Sequence, residues 1–275
     1  MPTPPDLSRL CIHTITTRPW NIYKAVENYA RKGIGGISVW RDAIENSDLN
    51  EIRNLINDSG LRIASLLRGG FFAATDVTAR LAAIDENRRA IDECAAMGSP
   101  LLVMVCGAAP GQSIHEDVDQ IRAGLEAVLP HARSCGVRVG IEPLHPVYAD
   151  TRSAIATMRM ANDLCDQIAD TSVGVTVDVY HVWWDPDLKS EIERCGDAGR
   201  LFSLHICDWK TPLTDVLNDR GIMGEGIIDI PIIRSWVEAA GFNGLIEVEI
   251  FSNRWWATDQ TEFLDKIVRA YSEHV

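Results

Sequence analysis

The chain has 275 residues, 46% of them hydrophobic and 24% charged, a balance that supplies a large core and excludes a disordered or low-complexity protein. Its formal net charge of −13 argues against a nucleic-acid partner, because phosphate backbones are bound by Lys and Arg. The beginning, MPTPPDLSRL, has neither the basic nor the apolar region of a secretory leader, and no stretch approaches the roughly 18 apolar residues of a membrane span, so a cytoplasmic protein without a membrane partner is expected.

In chain order, the first apolar run of strand length is Leu10 to Ile15, and helical spacing follows over Trp20 to Arg31. Gly35 to Trp40 and Leu61 to Leu67 are the second and third runs, and a helix over Asp76 to Met97 leads to the fourth, Leu101 to Cys106. A helix over Asp117 to Ser134 separates it from Val137 to Glu142, and another over Thr151 to Ile168 precedes Val173 to Val179. Leu201 to Cys207 and Leu245 to Phe251 complete the strands, and Thr258 to Tyr271 is the last helix. Strand-length runs alternating with helical periodicity predict a parallel sheet with crossover helices. Gly33, Gly60, Gly136 and Gly241 stand where helices end in a left-handed residue before the next strand. Eight such units without a linker predict an α/β fold: a single (β/α)8 TIM barrel forming one domain over residues 1–275. An open doubly wound sheet is the alternative, but the first βα turn lacks the glycine fingerprint GxGxxG. The seven cysteines are scattered with no CxxC pair, which predicts reduced core residues.

In such a barrel the chemistry sits at the carboxyl ends of the strands, where the βα loops converge. There the fifth strand offers Glu142, the sixth Asp178, the seventh His205 and the eighth Glu249. Each lies in or at the end of an apolar run, where an unpaired charge is costly to bury. A buried salt bridge explains any one of them, whereas one divalent cation compensates all four. An oxygen-rich set with a single imidazole suits Mn²⁺ first, with Mg²⁺ or Co²⁺ as alternatives, better than a structural zinc site. Glu247 has the same strand parity as Glu249; it is expected to stand behind the ligands or to pair with a basic residue.

Other polar and aromatic groups fall in the same rim. His145 and His181 are candidate catalytic or substrate-binding imidazoles. Arg68 and Arg220, each beside glycine, are candidate substrate-binding guanidiniums. Trp183 and Trp184, with Trp209, Trp255 and Trp256, supply aromatic faces of the kind that flank sugar rings, or they pack between helices.

The Glu142-Pro143 pair, Asp178-Val-Tyr-His181, Leu204-His205, Gly224-Glu225-Gly226 followed by Asp229, and Val248-Glu249 occur in the order of the sugar isomerase and epimerase superfamily. Over nearly its whole length the chain resembles that xylose-isomerase-like barrel. By resemblance to its ketose 3-epimerases, Glu142 and Glu249 bind the metal and also transfer the proton, and Asp178 and His205 complete the cage. The resemblance implies a metal-dependent isomerase or epimerase acting on a small keto sugar through an enediolate. The superfamily also contains inosose and dehydroshikimate dehydratases, hydroxypyruvate isomerases and abasic-site endonucleases. The endonucleases carry extra zinc-binding histidines where this chain has Arg68, Cys106 and Gly221, which disfavours that reading. The Glu142-Pro-Leu-His145-Pro segment and the Trp183-Trp184 pair depart from the epimerase pattern. They keep a dehydratase open as the alternative, with His145 or His181 as the acid. A barrel that only binds a partner is a third reading, weakened by the presence of all four ligands. Homo-oligomerisation is expected by analogy alone.

Overall fold

The computed structural model describes residues 6–275, and in it eight parallel strands close into a barrel in sequence order. The strands are β1 (Leu10–His13), β2 (Gly36–Trp40), β3 (Arg62–Gly70), β4 (Leu101–Val105), β5 (Arg138–Ile141), β6 (Val173–Asp178), β7 (Leu201–Ile206) and β8 (Ile246–Val248). Closure is made by β1 against β8, with Cys11 opposite Glu247. Between and after them run α1 (Ile22–Arg31), α2 (Leu49–Asp58), α3 (Val77–Met97), α4 (Ile114–Ser134), α5 (Met158–Ile168), α6 (Val179–Val182), α7 (Leu188–Asp197), α8 (Ile230–Ala239), α9 (Asn253–Trp256) and α10 (Gln260–His274). The predicted (β/α)8 architecture is therefore present with all eight strands in place.

Local chemistry accounts for the helix boundaries. Asn21, Asp48, Asp76, Thr157 and Asp259 each accept a backbone N–H at the start of a helix, and Ser113 forms a reciprocal capping box with Glu116. Each such cap satisfies N–H groups that the first helical turn leaves without a partner. Gly33, Gly60, Gly136 and Gly241 all have positive φ, as the sequence predicts. All seven cysteines are unpaired and six are buried. Among the described residues no helix is long and apolar enough to cross a membrane.

Strand alternation decides which side chains enter the barrel. Leu102 and Met104 of β4 join the large core shared with the surrounding helices. Leu101 and Val103 instead form a separate apolar cluster with Leu67, so they face the interior. By the same parity Ile141, Val177, Leu204, Ile206, Ile246, Val248 and Ile250 pack outward in the large core. Their neighbours Glu142, Asp178, His205, Glu247 and Glu249 point inward.

Two boundaries differ from the sequence reading for a clear local reason. Val179 begins a helical turn instead of ending β6, because the Asp178 carboxylate caps it by accepting the Tyr180 N–H at 2.8 Å. Residues 149–157 do not belong to α5. They run beside β4, where Gly107 N–H donates to Arg152 O and Ala154 N–H donates to Gly107 O, both at 2.9 Å. These cross-chain bonds use the backbone groups that a helix would need, and Thr157 then caps the shorter α5.

Candidate functional site

At the carboxyl end of the barrel, Glu142, Asp178, His205 and Glu249 each offer one donor atom, and these four atoms lie within 4.8 Å of one another. All four residues are buried. Glu142 Oε1, Glu249 Oε1 and both His205 ring nitrogens find no hydrogen-bond partner among the described residues. His205 Nδ1 stands 3.2 Å from Glu142 Oε1 without the alignment of a hydrogen bond. Buried polar atoms left in this state are costly. Converging donors of mixed oxygen and nitrogen character fit a divalent cation.

Glu247 stands in a different situation. Its carboxylate accepts hydroxyl protons from Ser38, Ser65 and Ser203 and contacts His13 Nε2 at 3.2 Å and His205 Nε2 at 3.6 Å. Its oxygens are thus satisfied, whereas Glu249 keeps an orphaned one. Despite burial, the imidazoles of His205 and His13 hold the Glu247 carboxyl well below its ordinary range. Burial opposes protonation of His205, yet Glu247, Glu142 and Glu249 together raise its pKa.

His13 is absent from the sequence-based candidates, and it lies at the centre of this network. It is fully buried at the end of β1, with Nδ1 3.0 Å from Glu249 Oε1. The signal was available, since His13 ends a barrel strand at the same rim as the four ligand candidates.

Arg220 comes to the site on the loop between β7 and α8. Its Nη1 donates to Asp178 Oδ2 at 3.1 Å and to Glu249 Oε2 at 2.9 Å, and its Nη2 meets His181 Nε2 at 3.2 Å. The guanidinium lies over the Tyr180 and Phe251 rings and is buried. Burial pushes the Asp178 pKa up to about 7, with Arg220 opposing it; Glu249, close to both His13 and Arg220, is held low. Burial and Arg220 keep His181 neutral.

The loop that carries Arg220 is itself organised by Asp208, one residue beyond Cys207. Asp208 is 1% exposed, and its carboxylate accepts four backbone N–H groups: Trp209 and Ile228 on Oδ1, Gly224 and Gly226 on Oδ2. A side chain at Gly226 would place Cβ 2.2 Å from the Trp209 carbonyl oxygen, so the Gly-Glu-Gly motif serves close packing around this carboxylate.

A cavity opens above the four-residue cluster, and Arg68, His181 and Arg220 line it together with Glu142 and Glu249. Of the remaining sequence candidates, His145 packs on Trp209 with ring centroids 4.9 Å apart and meets Trp184 edge-on. Trp183 also packs against Trp209, and the Trp184 indole donates to His181 O at 2.8 Å. These three form an aromatic cluster of their own outside that lining. Tyr148 and Arg152, which the sequence reading did not single out, do line the cavity.

Comparison with known proteins agrees with the fold. The chain is 22% identical to an inosose isomerase of Halalkalibacterium halodurans over 97% of both sequences. A crystal structure of a Sinorhizobium meliloti 1021 protein is 44% identical with a TM-score of 0.94, covering 98% of this chain and 99% of that one. The crystal structure of the IOLI protein with a bound zinc atom superposes with a TM-score of 0.85 at 20% identity, covering 97% and 98% of the two chains. The family model for the xylose isomerase-like TIM barrel matches residues 23–267, and the chain belongs to that family.

Proposed function

We propose that this protein is a divalent-metal-dependent isomerase or epimerase of a keto sugar or related polyhydroxy ketone. The observation that carries the reading is the convergence of Glu142, Asp178, His205 and Glu249 on one point, with orphaned buried atoms on three of them. The inosose isomerase relative and the zinc in the IOLI structure support it. The oxygen-rich donor set favours Mn²⁺, with Mg²⁺ or Co²⁺ as alternatives. A cation held there would act as a Lewis acid toward a carbonyl and an adjacent hydroxyl, acidifying the carbon-bound proton beside them.

The chain's own residues then account for proton movement. Glu142 and Glu249 both line the cavity and are the acid and base pair: one carboxylate removes the proton from the carbon next to the carbonyl, and the other returns it. Return to the neighbouring carbon, with the hydroxyl proton passing to the former carbonyl oxygen, moves the carbonyl, and return to the opposite face inverts the centre. Arg220 fixes Asp178 and Glu249 in place through its two short bonds. His181 accepts from Arg220 on Nε2, so its remaining proton sits on Nδ1, which has no partner among the described residues. This N–H is the donor for a substrate oxygen.

The test is proton NMR of metal-loaded protein with keto sugars and inosose-like ketones in D₂O. Deuterium at the carbon beside the carbonyl with the formula conserved supports the isomerase or epimerase. Loss of water would instead assign a dehydratase, with His181 as the cavity-lining acid.

A further inference from the structure

Two guanidiniums in the cavity lack the direct ion-pair partners that Arg220 possesses. Arg68, near the carboxyl end of β3, and Arg152, in the segment running beside β4, are both half-buried and both line the cavity that contains Glu142 and Glu249. Arg220 has Asp178 and Glu249 as ion-pair partners, which leaves it nearly neutralised. Among the described residues, the Arg68 and Arg152 guanidiniums make no ion pair within 4.0 Å and donate no hydrogen bond. Their heads rest instead on aromatic faces: Arg68 is 4.8 Å from the Phe71 ring centre and 5.7 Å from that of Trp40, and Arg152 is 5.6 Å from that of Tyr148. Burial and the neighbouring Arg152 push the Arg68 pKa down, against the more distant carboxylates of Asp42, Glu142 and Glu249, so the two guanidiniums feel one another.

Beside Arg152 stands a polar group without a partner. Tyr148 is 8% exposed and lines the same cavity, and its buried hydroxyl finds no hydrogen-bond partner among the described residues. Two planar forks of donors without a direct ion pair, and one orphaned hydroxyl, have the chemistry that suits an oxyanion.

We infer that the substrate carries an oxyanion, a carboxylate or a phosphate ester, bound by Arg68, Arg152 and Tyr148 while its ketone faces Glu142 and Glu249. This rests on the proposed isomerase or epimerase reading for the ketone end only. The anion end is read from the arginines themselves.

The test has a binding arm and a turnover arm. In the binding arm, chelated metal-free protein is titrated calorimetrically with inorganic phosphate, D-glucuronate and D-glucose. At least one anion should bind ten- or more-fold tighter than glucose. Arg152→Met should weaken that anion about ten- to hundredfold, the scale of a lost charge-assisted contact, and Arg152→Lys should recover part of it. Preference for phosphate assigns a phosphate ester, and preference for glucuronate assigns a carboxylate. Anions that bind no better than glucose, or anion binding unchanged in Arg152→Met, would overturn the inference. In the turnover arm, metal-loaded protein is offered keto sugars with and without an anionic group in D₂O, and Arg152→Met should lower the anionic-to-neutral ratio of kcat/KM. Absence of exchange with every ketone would defeat the proposed reaction while leaving the binding arm to decide the anion site.

Discussion

Asp208→Asn isolates one carboxylate on which the geometry of the site depends. Four backbone N–H groups converge on it, two per oxygen, at 2.8–3.0 Å, and at 1% exposure water cannot readily replace the lost acceptor. An amide keeps one acceptor oxygen and presents an NH₂ group to the other pair of donors. At about 1.5–3 kcal/mol for each bond to a charged group, losing two costs roughly 3–6 kcal/mol, and relaxation of the loop brings this to about 2–4 kcal/mol. The measurement is amide hydrogen exchange at Gly224, Gly226 and Ile228, read beside the protection of the barrel strands. The three amides should exchange about 30- to 1,000-fold faster, as a local opening of that size requires, and kcat/KM should fall because Arg220 is carried on the same loop. Unchanged protection with full activity would refute the claim that Asp208 holds the loop.

Other substitutions probe separate parts of the account. Glu142→Gln should reduce deuterium incorporation about 10²- to 10⁴-fold, the range for losing a proton-transfer group, as measured by NMR under saturating metal. Arg220→Met leaves Asp178 and Glu249 buried without their cation, and denaturant unfolding of the metal-free protein should show a loss of about 3–5 kcal/mol. Gly124→Ala tests packing: in an exposed helix it would stabilise, but here Cβ would stand 2.3 Å from Phe72 Cδ1, and Phe72 is 1% exposed. Overpacking should reverse the sign and cost about 1–3 kcal/mol in a urea melt. Glu238 accepts from Arg9 and Arg234; burial opposes ionisation, yet the two guanidiniums lower its pKa. Its contribution is therefore present above the unfolded carboxyl pKa of about 4.3 and lost as pH falls through the lower folded value. For a pair this exposed the contribution is below about 1 kcal/mol, and Glu238→Gln should flatten the stability profile between about pH 5 and 3.

The barrel was legible because its strands are apolar runs of the right length and its helices end in glycines that only a left-handed turn requires. The four ligand candidates were legible for a related reason: charges inside apolar runs demand compensation, and strand parity turns them inward. His13 obeys the same rule, but its run Leu10 to Ile15 holds no carboxylate, and its partners Glu247 and Glu249 come from the far end of the chain. Arg152 and Tyr148 were hidden by a different cause. Arg152 falls in the helix expected over Thr151 to Ile168, and only the tertiary pairing of Gly107 with Ser153 draws it out of α5 and toward the cavity, while Tyr148 closes the short turn Pro146–Tyr148 just before it. The tryptophans show the limit of residue type alone: Trp183 and Trp184 follow β6, outside the cavity lining, and whether an aromatic ring meets a ligand or another ring depends on packing that periodicity does not encode.

The central claim is that one cation, held by Glu142, Asp178, His205 and Glu249, is needed for proton exchange at the carbon beside a ketone. Deuterium uptake by a keto sugar panel, followed before chelation, after chelation and after Mn²⁺ is restored to one equivalent per chain, tests it most directly. Exchange should disappear with the metal, return with it, and stay absent in a His205→Ala variant given the same single equivalent. Exchange that survives chelation, or that His205→Ala retains in full, would contradict it.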